Sequence, residues 1–427
     1  MIRATIVIAA IAGLLLSETA LAYISGAVAS LLYVTTGQGE FLATYPRRIF
    51  SQLDVFAFMA MPFFILVGEL MNRGGITQAL VDFSLALVGR VRGGLGHVNV
   101  LTSLFFSGIS GSAIADAAAL SSTLVPAMRE KGYDARYAAA ITAASSIIGP
   151  IVPPSIILIF YGAIMGVDVA ALFAAGIVPG VLLAGCLLIA NGVFAWRGHH
   201  PGGDGSQPGF LQALPRAIPA LALPVIILAG IVLGWMTPTE AAAVAVFAAL
   251  GVGFLFRAVS RDMLRESLWR TITLSGSIFV MLAAAATINF LAAVNQVPDL
   301  LASYVNGTGI TGPAFLFLLM GVFLVFGMLS ETQIALAVAA PLLIPAAVAQ
   351  GADPVHLGIL VCLNLSMGLI TPPLGGAVLV VSTITGVNYW ALIKATFPFV
   401  LVELALLCAL VAFPGLSLSL PRYFGLM

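Results

Sequence analysis

Apolar residues fill this chain in long runs, broken by short polar stretches. The runs predict crossing helices near 4–16, 18–35, 55–72, 134–166, 169–195, 217–234, 238–256, 272–294, 355–385 and 389–412. Two further apolar stretches, 95–128 and 312–349, are interrupted halfway by polar tips, "SGISGS" and "LSET". Each reads as a helical hairpin that enters and leaves the bilayer on one side. Segments 42–54 and 257–270 are amphipathic and too charged to span; they read as helices lying flat on the membrane surface, or as solvated loop helices. The roughly 10-residue alternation of a membrane barrel is absent. The expected fold class is therefore all-α and polytopic, with ten crossings and two re-entrant hairpins.

Composition agrees with the pattern. Of 427 residues, 61% are hydrophobic and 8% charged, and mean hydropathy is +1.13. So few charges do not cover the surface of a soluble protein this large. The formal net charge is zero, which gives no sign of a nucleic-acid partner. Cys186, Cys362 and Cys408 each lie in an apolar run without metal-ligand spacing, and His199-His200 is an isolated pair in a polar loop. The opening "MIRATIVIAAIAGLLLSETALA" fits a signal peptide or a retained helix. The second reading is favoured, because apolar character continues to Val34 and a matching segment recurs later.

The chain repeats itself. Residues 124–154 align without a gap on 343–373, with nine identities that include "LVPA" against "LIPA" and "GPIVPP" against "GLITPP". The same shift sets Gly108 on Gly327 and Gly111-Ser112 on Ser330-Glu331. The predicted division is a first repeat at 1–196, a cytoplasmic linker at 197–216 and a second repeat at 217–427. Basic residues set the orientation. Arg129, Lys131 and Arg136 follow the first polar tip, whereas no Lys or Arg occurs between Arg270 and Lys394. By the positive-inside rule the repeats are inverted, with hairpin 95–128 on the cytoplasmic side and 312–349 on the other. Arg3, Arg47, Arg48 and Arg422 are the basic residues left outside.

Polar groups at membrane depth are the candidate chemistry. Gly108 and Gly111 permit a sharp turn and close approach. Ser110 and Ser112, with freed carbonyls, offer oxygen ligands of the kind a hard cation prefers. Span 134–166 breaks at Gly149–Pro154, just after Ser145 and Ser146. The second repeat does the same, with Asn364 and Ser366 before the break at Gly368 and Thr371 within it. Paired broken helices in two halves point to a transport site near the bilayer midplane. Asp116 reads as a cation ligand or as an acid stabilising the start of the hairpin's return limb; Glu331 admits the same two roles. Glu18 and Glu240, near span ends, read as caps, while Glu69 and Glu403 are expected to snorkel or pair. No arginine at membrane depth is present to clamp a carboxylate, and Lys394 lies near an inner end.

These residues carry a resemblance. "GSAIADAAALSSTLVPAMREKGYDARYAAAITAASSIIGPIVPPS", "TPTEAAAVAV" from 237 and "GLITPPLGGAVLVVSTITGV" from 368 resemble the large membrane subunit of tripartite ATP-independent periplasmic (TRAP) transporters. The resemblance covers essentially the whole chain; the start "LSETALAY" departs from the family's usual proline-containing entry. It implies an elevator-type sodium (Na+) symporter in the bacterial inner membrane. It also implies a four-helix small membrane subunit, and a periplasmic substrate-binding protein that delivers an organic acid. Ser110, Gly111, Ser112 and Asp116 match the inner hairpin, and Ser330, Glu331 and Thr332 the outer one. Ser145, Gly149, Asn364, Gly368 and Thr371 match the broken helices. Together these form the candidate sodium sites and adjoining substrate pocket. Two other readings are a self-sufficient dicarboxylate or anion symporter and an intramembrane hydrolase. The second lacks a histidine at either tip and a paired-aspartate motif, so no enzyme is expected.

Overall fold

The computed structural model describes residues 27, 31, 43–198, 200–202 and 209–427. The expected spans 4–16 and 18–35, with Arg3 and Glu18, fall outside the described residues except for positions 27 and 31. Regular structure is entirely helical among the described residues. Eight helices among the described residues are long and apolar enough to cross a membrane. Backbone groups satisfied within each segment are what a bilayer solvent demands.

Helix α1 (Tyr45–Leu53) leads through a short 3-10 turn (Phe56–Met59) into α2 (Ala60–Arg73) and α3 (Ile76–Val88). The first hairpin is α4 (Gly94–Ser110) and α5 (Ala113–Glu130). The first broken helix follows: α6 (Ala135–Ser145), a 3-10 turn (Ser146–Ile148), an irregular stretch to Ser155, then α7 (Ile156–Met165). Next come α8 (Val169–Arg197), α9 (Phe210–Val232), α10 (Pro238–Leu255), α11 (Arg261–Val294) and α12 (Val297–Thr308). The second hairpin is α13 (Gly312–Leu329) and α14 (Thr332–Ala349). The second broken helix is α15 (Pro354–Gly368) and α16 (Gly376–Thr385), and the chain closes with α17 (Tyr389–Ala412) and α18 (Gly415–Tyr423).

Local chemistry fixes many of these boundaries. Asp168 caps α8 through the Ala171 amide at 3.0 Å. Thr237 and Glu240 form a reciprocal capping box at the start of α10, the role expected for Glu240. Ser112, Ser155 and Ser260 cap α5, α7 and α11, each hydroxyl accepting from the amide three residues on. Both breaks carry a cis X-Pro bond at the same place in the motif, Pro153–Pro154 and Pro372–Pro373.

Three expectations change. The amphipathic stretch 257–270 is not a separate surface helix: from Arg261 onward it is continuous with the span after it, as the 34-residue α11. Two of its charges pair with α2. Glu266 pairs with Arg73, and Arg270 approaches Glu69 at 3.6 Å, so Glu69 is paired from two sides. Helices α3, α12 and α18 were not separable by hydropathy, being short and diluted by Thr, Gln, Asp or Ser. Glu403 neither snorkels nor pairs. It is fully buried in α17, and among the described residues neither carboxylate oxygen has a hydrogen-bond partner.

Packing places the broken helices at the centre. Helix α6 lies against both limbs of the first hairpin, and α15 against both limbs of the second. The return limbs then cross over: α5 packs on α16, and α14 packs on α7. Helices α1, α2, α10 and α11 pack together, α2 lying against α10 and α11, with α11 also against α14 and α2 against α4. Small residues permit the close centre. Ala138–Ala140 and Ala143–Ala144 are buried, and Gly176 and Gly180 on α8 receive Ile151 and Val152 of the first break without room for a Cβ.

Candidate functional site: two hairpin tips against two broken helices

The first tip is built by a left-handed residue. Gly111 ends α4 at φ +58°, its amide returning to the Ser107 carbonyl at 3.2 Å. A side chain there is disfavoured by conformation and by space, since a Cβ would lie 2.9 Å from the Pro154 carbonyl oxygen. The tip thus rests directly on the first break. Ser112 then caps α5, and Asp116 falls in that helix's first turn.

Asp116 is fully buried. The Ser110 hydroxyl donates to its Oδ1, while Oδ2 has no hydrogen-bond partner among the described residues. That free oxygen sits over Gly149, where any Cβ would collide with it. Ser110, Gly111, Ser112, Asp116 and Gly149 therefore form one cluster that joins hairpin to break. An unpartnered carboxylate oxygen at this depth is a costly arrangement that a cation relieves.

Ser145 belongs to an adjoining network. It accepts from Ser103 at 2.9 Å and donates to the Asn99 oxygen at 3.0 Å, and Asn99 donates to Thr142 at 2.6 Å. All four side chains are fully buried. Asn99, Ser103 and Thr142 were not singled out from the sequence. The signal was present: Asn99, Ser103 and Ser107 recur every four residues in an otherwise apolar run, one polar stripe on a helix.

The second tip is constructed differently. Ser330 donates back to Phe326 at 3.0 Å, and Glu331 occupies the cap position of α14 without a capping bond. The Thr332 hydroxyl is buried without a partner among the described residues. Here the two elements meet through backbone: Gly327 of α13 and Gly368 of α15 touch, and a Cβ on Gly368 would enter the Gly327 main chain. The Leu374 amide donates to the Met328 carbonyl at 3.3 Å, tying the break to the hairpin. Asn364 donates to the Met320 carbonyl and leaves its own oxygen buried without a partner among the described residues. Thr371 and Ser366 bond back to Met367 and Cys362. Ser330, Glu331 and Thr332 make no hydrogen bond to Asn364, Gly368 or Thr371. The two clusters adjoin each other, because Ile114 at the start of α5 faces Gly376 at the start of α16.

The fold is that of a known class of membrane transporter. It superposes on the YdaH transporter of Alcanivorax borkumensis with a TM-score of 0.65, at 15% identity, covering 90% of each chain. Residues 7–416 match the family model "Tripartite ATP-independent periplasmic transporter, DctM component", and the chain belongs to that family. It is 38% identical to the sialic acid TRAP transporter large permease protein SiaM of Vibrio cholerae over 88% of this chain and 89% of that protein. It is 34% identical to the C4-dicarboxylate TRAP transporter large permease protein DctM of Pseudomonas aeruginosa over 94% of both. The resemblance seen in the sequence therefore holds, and the chain is a multi-pass membrane transport component, not an enzyme.

Proposed function

We propose that this chain is the large permease subunit of a sodium-coupled, binding-protein-dependent importer of an organic acid, acting in the bacterial inner membrane. The observation that carries the reading is Asp116: buried, bonded on one oxygen by Ser110, and open on the other above Gly149. Sodium is the co-substrate. Its arrival beside Asp116 offsets the cost of a buried charge, and so favours the hairpin tip closed on the break. Ser110 and Ser112 supply hydroxyl oxygens next to it, and Ser145 joins through its network. In the second cluster Asn364, Thr332 and Thr371 supply neutral oxygens, and Glu331 a carboxylate at the rim. Elevator movement of the two hairpins with their broken helices then carries the loaded site across.

The substrate class follows from two lines of support. The relatives are named for sialic acid and for C4-dicarboxylates, both carboxylic acids. Arg47 and Arg48 line a cavity of about 650 Å³ against Asn289 of α11 and Pro341 of α14, a guanidinium-lined approach to the second hairpin. A periplasmic binding protein would select the acid, and a small four-helix subunit would complete the membrane unit.

The test is reconstitution in proteoliposomes with the small subunit and binding protein. Uptake of a C4-dicarboxylate or sialate should require an inward sodium gradient. Uptake indifferent to sodium, or full uptake by this chain alone, overturns the reading.

A further inference from the structure

The two breaks satisfy their main chain by different means. At the first, the Ser155 hydroxyl donates to the Pro150 carbonyl, and Ile151 and Pro153 to Ser155 are buried. The repeat alignment sets Ser155 on Leu374, which has no hydroxyl to give. Pro373 and Leu374 are exposed, and no main-chain amide is bonded to either carbonyl among the described residues. Irregular backbone at membrane depth persists only where such groups find partners or line a cavity.

The donor comes from the next helix. Tyr389, the first residue of α17, places its phenol oxygen 2.9 Å from the Pro373 carbonyl and 3.0 Å from that of Leu374. Asn388 caps α17 through the Trp390 and Ala391 amides, and Trp390 packs edge-on to the Tyr389 ring at 5.3 Å. Gly375 makes the room: a Cβ there would lie 3.2 Å from the phenol oxygen. The corresponding position of the first repeat is Ala170, so this donor has no counterpart.

The contact bears on the hairpin through a single peptide unit. The Pro373 carbonyl and the Leu374 amide belong to the same trans peptide and point in opposite directions. On one side Tyr389 donates to the carbonyl. On the other the amide donates to the Met328 carbonyl at 3.3 Å, in the last turn of α13 before the tip. The peptide is therefore gripped between α17 and the second hairpin. Hydrogen bonds in series through one amide polarise one another, so each grip strengthens the other.

We propose that Tyr389 is a positioning residue for transport: its hydroxyl fixes the Pro373–Leu374 peptide and so keeps the second hairpin tip seated on its break. The strut itself stands on this geometry; its effect on uptake rests on the transport reading above.

The test is Tyr389→Phe, which keeps the ring and its contact with Trp390 and removes only the hydroxyl, so the full chain should fold as the parent does. Hydrogen–deuterium exchange, read by mass spectrometry in detergent, follows both tips. Amides at 326–332 should exchange about fivefold faster than in the parent, the fold-change of one net hydrogen bond. Amides at 107–116 should stay within about twofold of the parent. Trp390→Phe, which keeps the phenol, should leave both tips unchanged. In the reconstituted complex, Tyr389→Phe should raise the half-saturating substrate concentration about fivefold, because the seated tip is less populated, with the maximal rate within about twofold. Unchanged exchange at 326–332, equal acceleration at both tips, or the same acceleration in Trp390→Phe overturns the strut. An unchanged half-saturating concentration overturns its role in uptake. Absence of uptake by the parent complex overturns the transport reading instead, and the exchange result still decides the strut.

Discussion

The two hairpin–break pairs share a plan and differ in what joins them. At the first, a charged side chain is added to the backbone contact of Gly111 with Pro154: Asp116 reaches over Gly149 with one oxygen held by Ser110. At the second, main chain meets main chain at Gly327 and Gly368, and the acid Glu331 stands at the rim, half-buried. Aligned by the 219-residue shift, Asp116 falls on Ala335, so the buried carboxylate has no counterpart. A joint made by a charged side chain responds to a cation. A joint made by backbone contact holds position. On the proposed sodium-coupled reading, charge sensing falls to the first pair and rigid coupling to the second.

The sharpest way to break this contrast is at the glycines. Gly368→Ala places a Cβ inside the Gly327 backbone, which has no rotamer to yield. It should destabilise by about 1–3 kcal/mol or prevent assembly, read as thermal unfolding in detergent. Gly149→Ala presses chiefly on a side-chain oxygen. It should cost less stability yet displace Asp116, and so raise the sodium concentration that half-activates uptake. If Gly149→Ala proves the more destabilising, the contrast fails.

At the acids, Asp116→Asn should weaken sodium activation of uptake by at least about tenfold, within the usual range of coupling free energies. Glu331→Gln should change it by less than about threefold on the same scale. Equal responses would place charge sensing at both tips. Below these in size comes the buried network. Ser103→Ala removes a donor to Ser145 and should cost about 1 kcal/mol of stability, with sodium activation little changed.

The smallest effect lies outside the membrane. Asp134 precedes α6 in the loop after the first hairpin, and the hydrogen bond from the Arg136 side chain holds its carboxyl below the usual range. The folded form therefore favours the ionised state. The contribution is present above the unfolded value near 4 and is lost as pH falls through the lowered folded value. The pair is well exposed, so Asp134→Asn should remove only a few tenths of a kcal/mol from the acid limb of the stability profile.

Much of this was legible before any coordinates. Paired prolines in "GPIVPP" and "GLITPP" gave both breaks, because proline's missing donor ends a helix whatever surrounds it. Glycine and serine in "SGISGS" gave the first tip for the same local reason. The contact between Asp116 and Gly149 was not legible, since it depends on how two segments 33 positions apart meet in space. The continuity of α11 was hidden by charge: Glu266 and Arg270 looked too polar to extend a membrane helix until their partners on α2 were visible. Glu403 misled in the opposite sense, since an acid in an apolar run suggests a partner and none surrounds it among the described residues.

The seating of Ile151 and Val152 on Gly176 and Gly180 has a mechanical consequence. Helix α8 is clasped to the first break as a rack is to its pinion teeth, with no slack for either to slide. A 29-residue rod must therefore travel with any displacement of that break. If the break moves as proposed, its keel moves with it, and larger side chains at 176 or 180 would jam the unit from behind, away from Asp116.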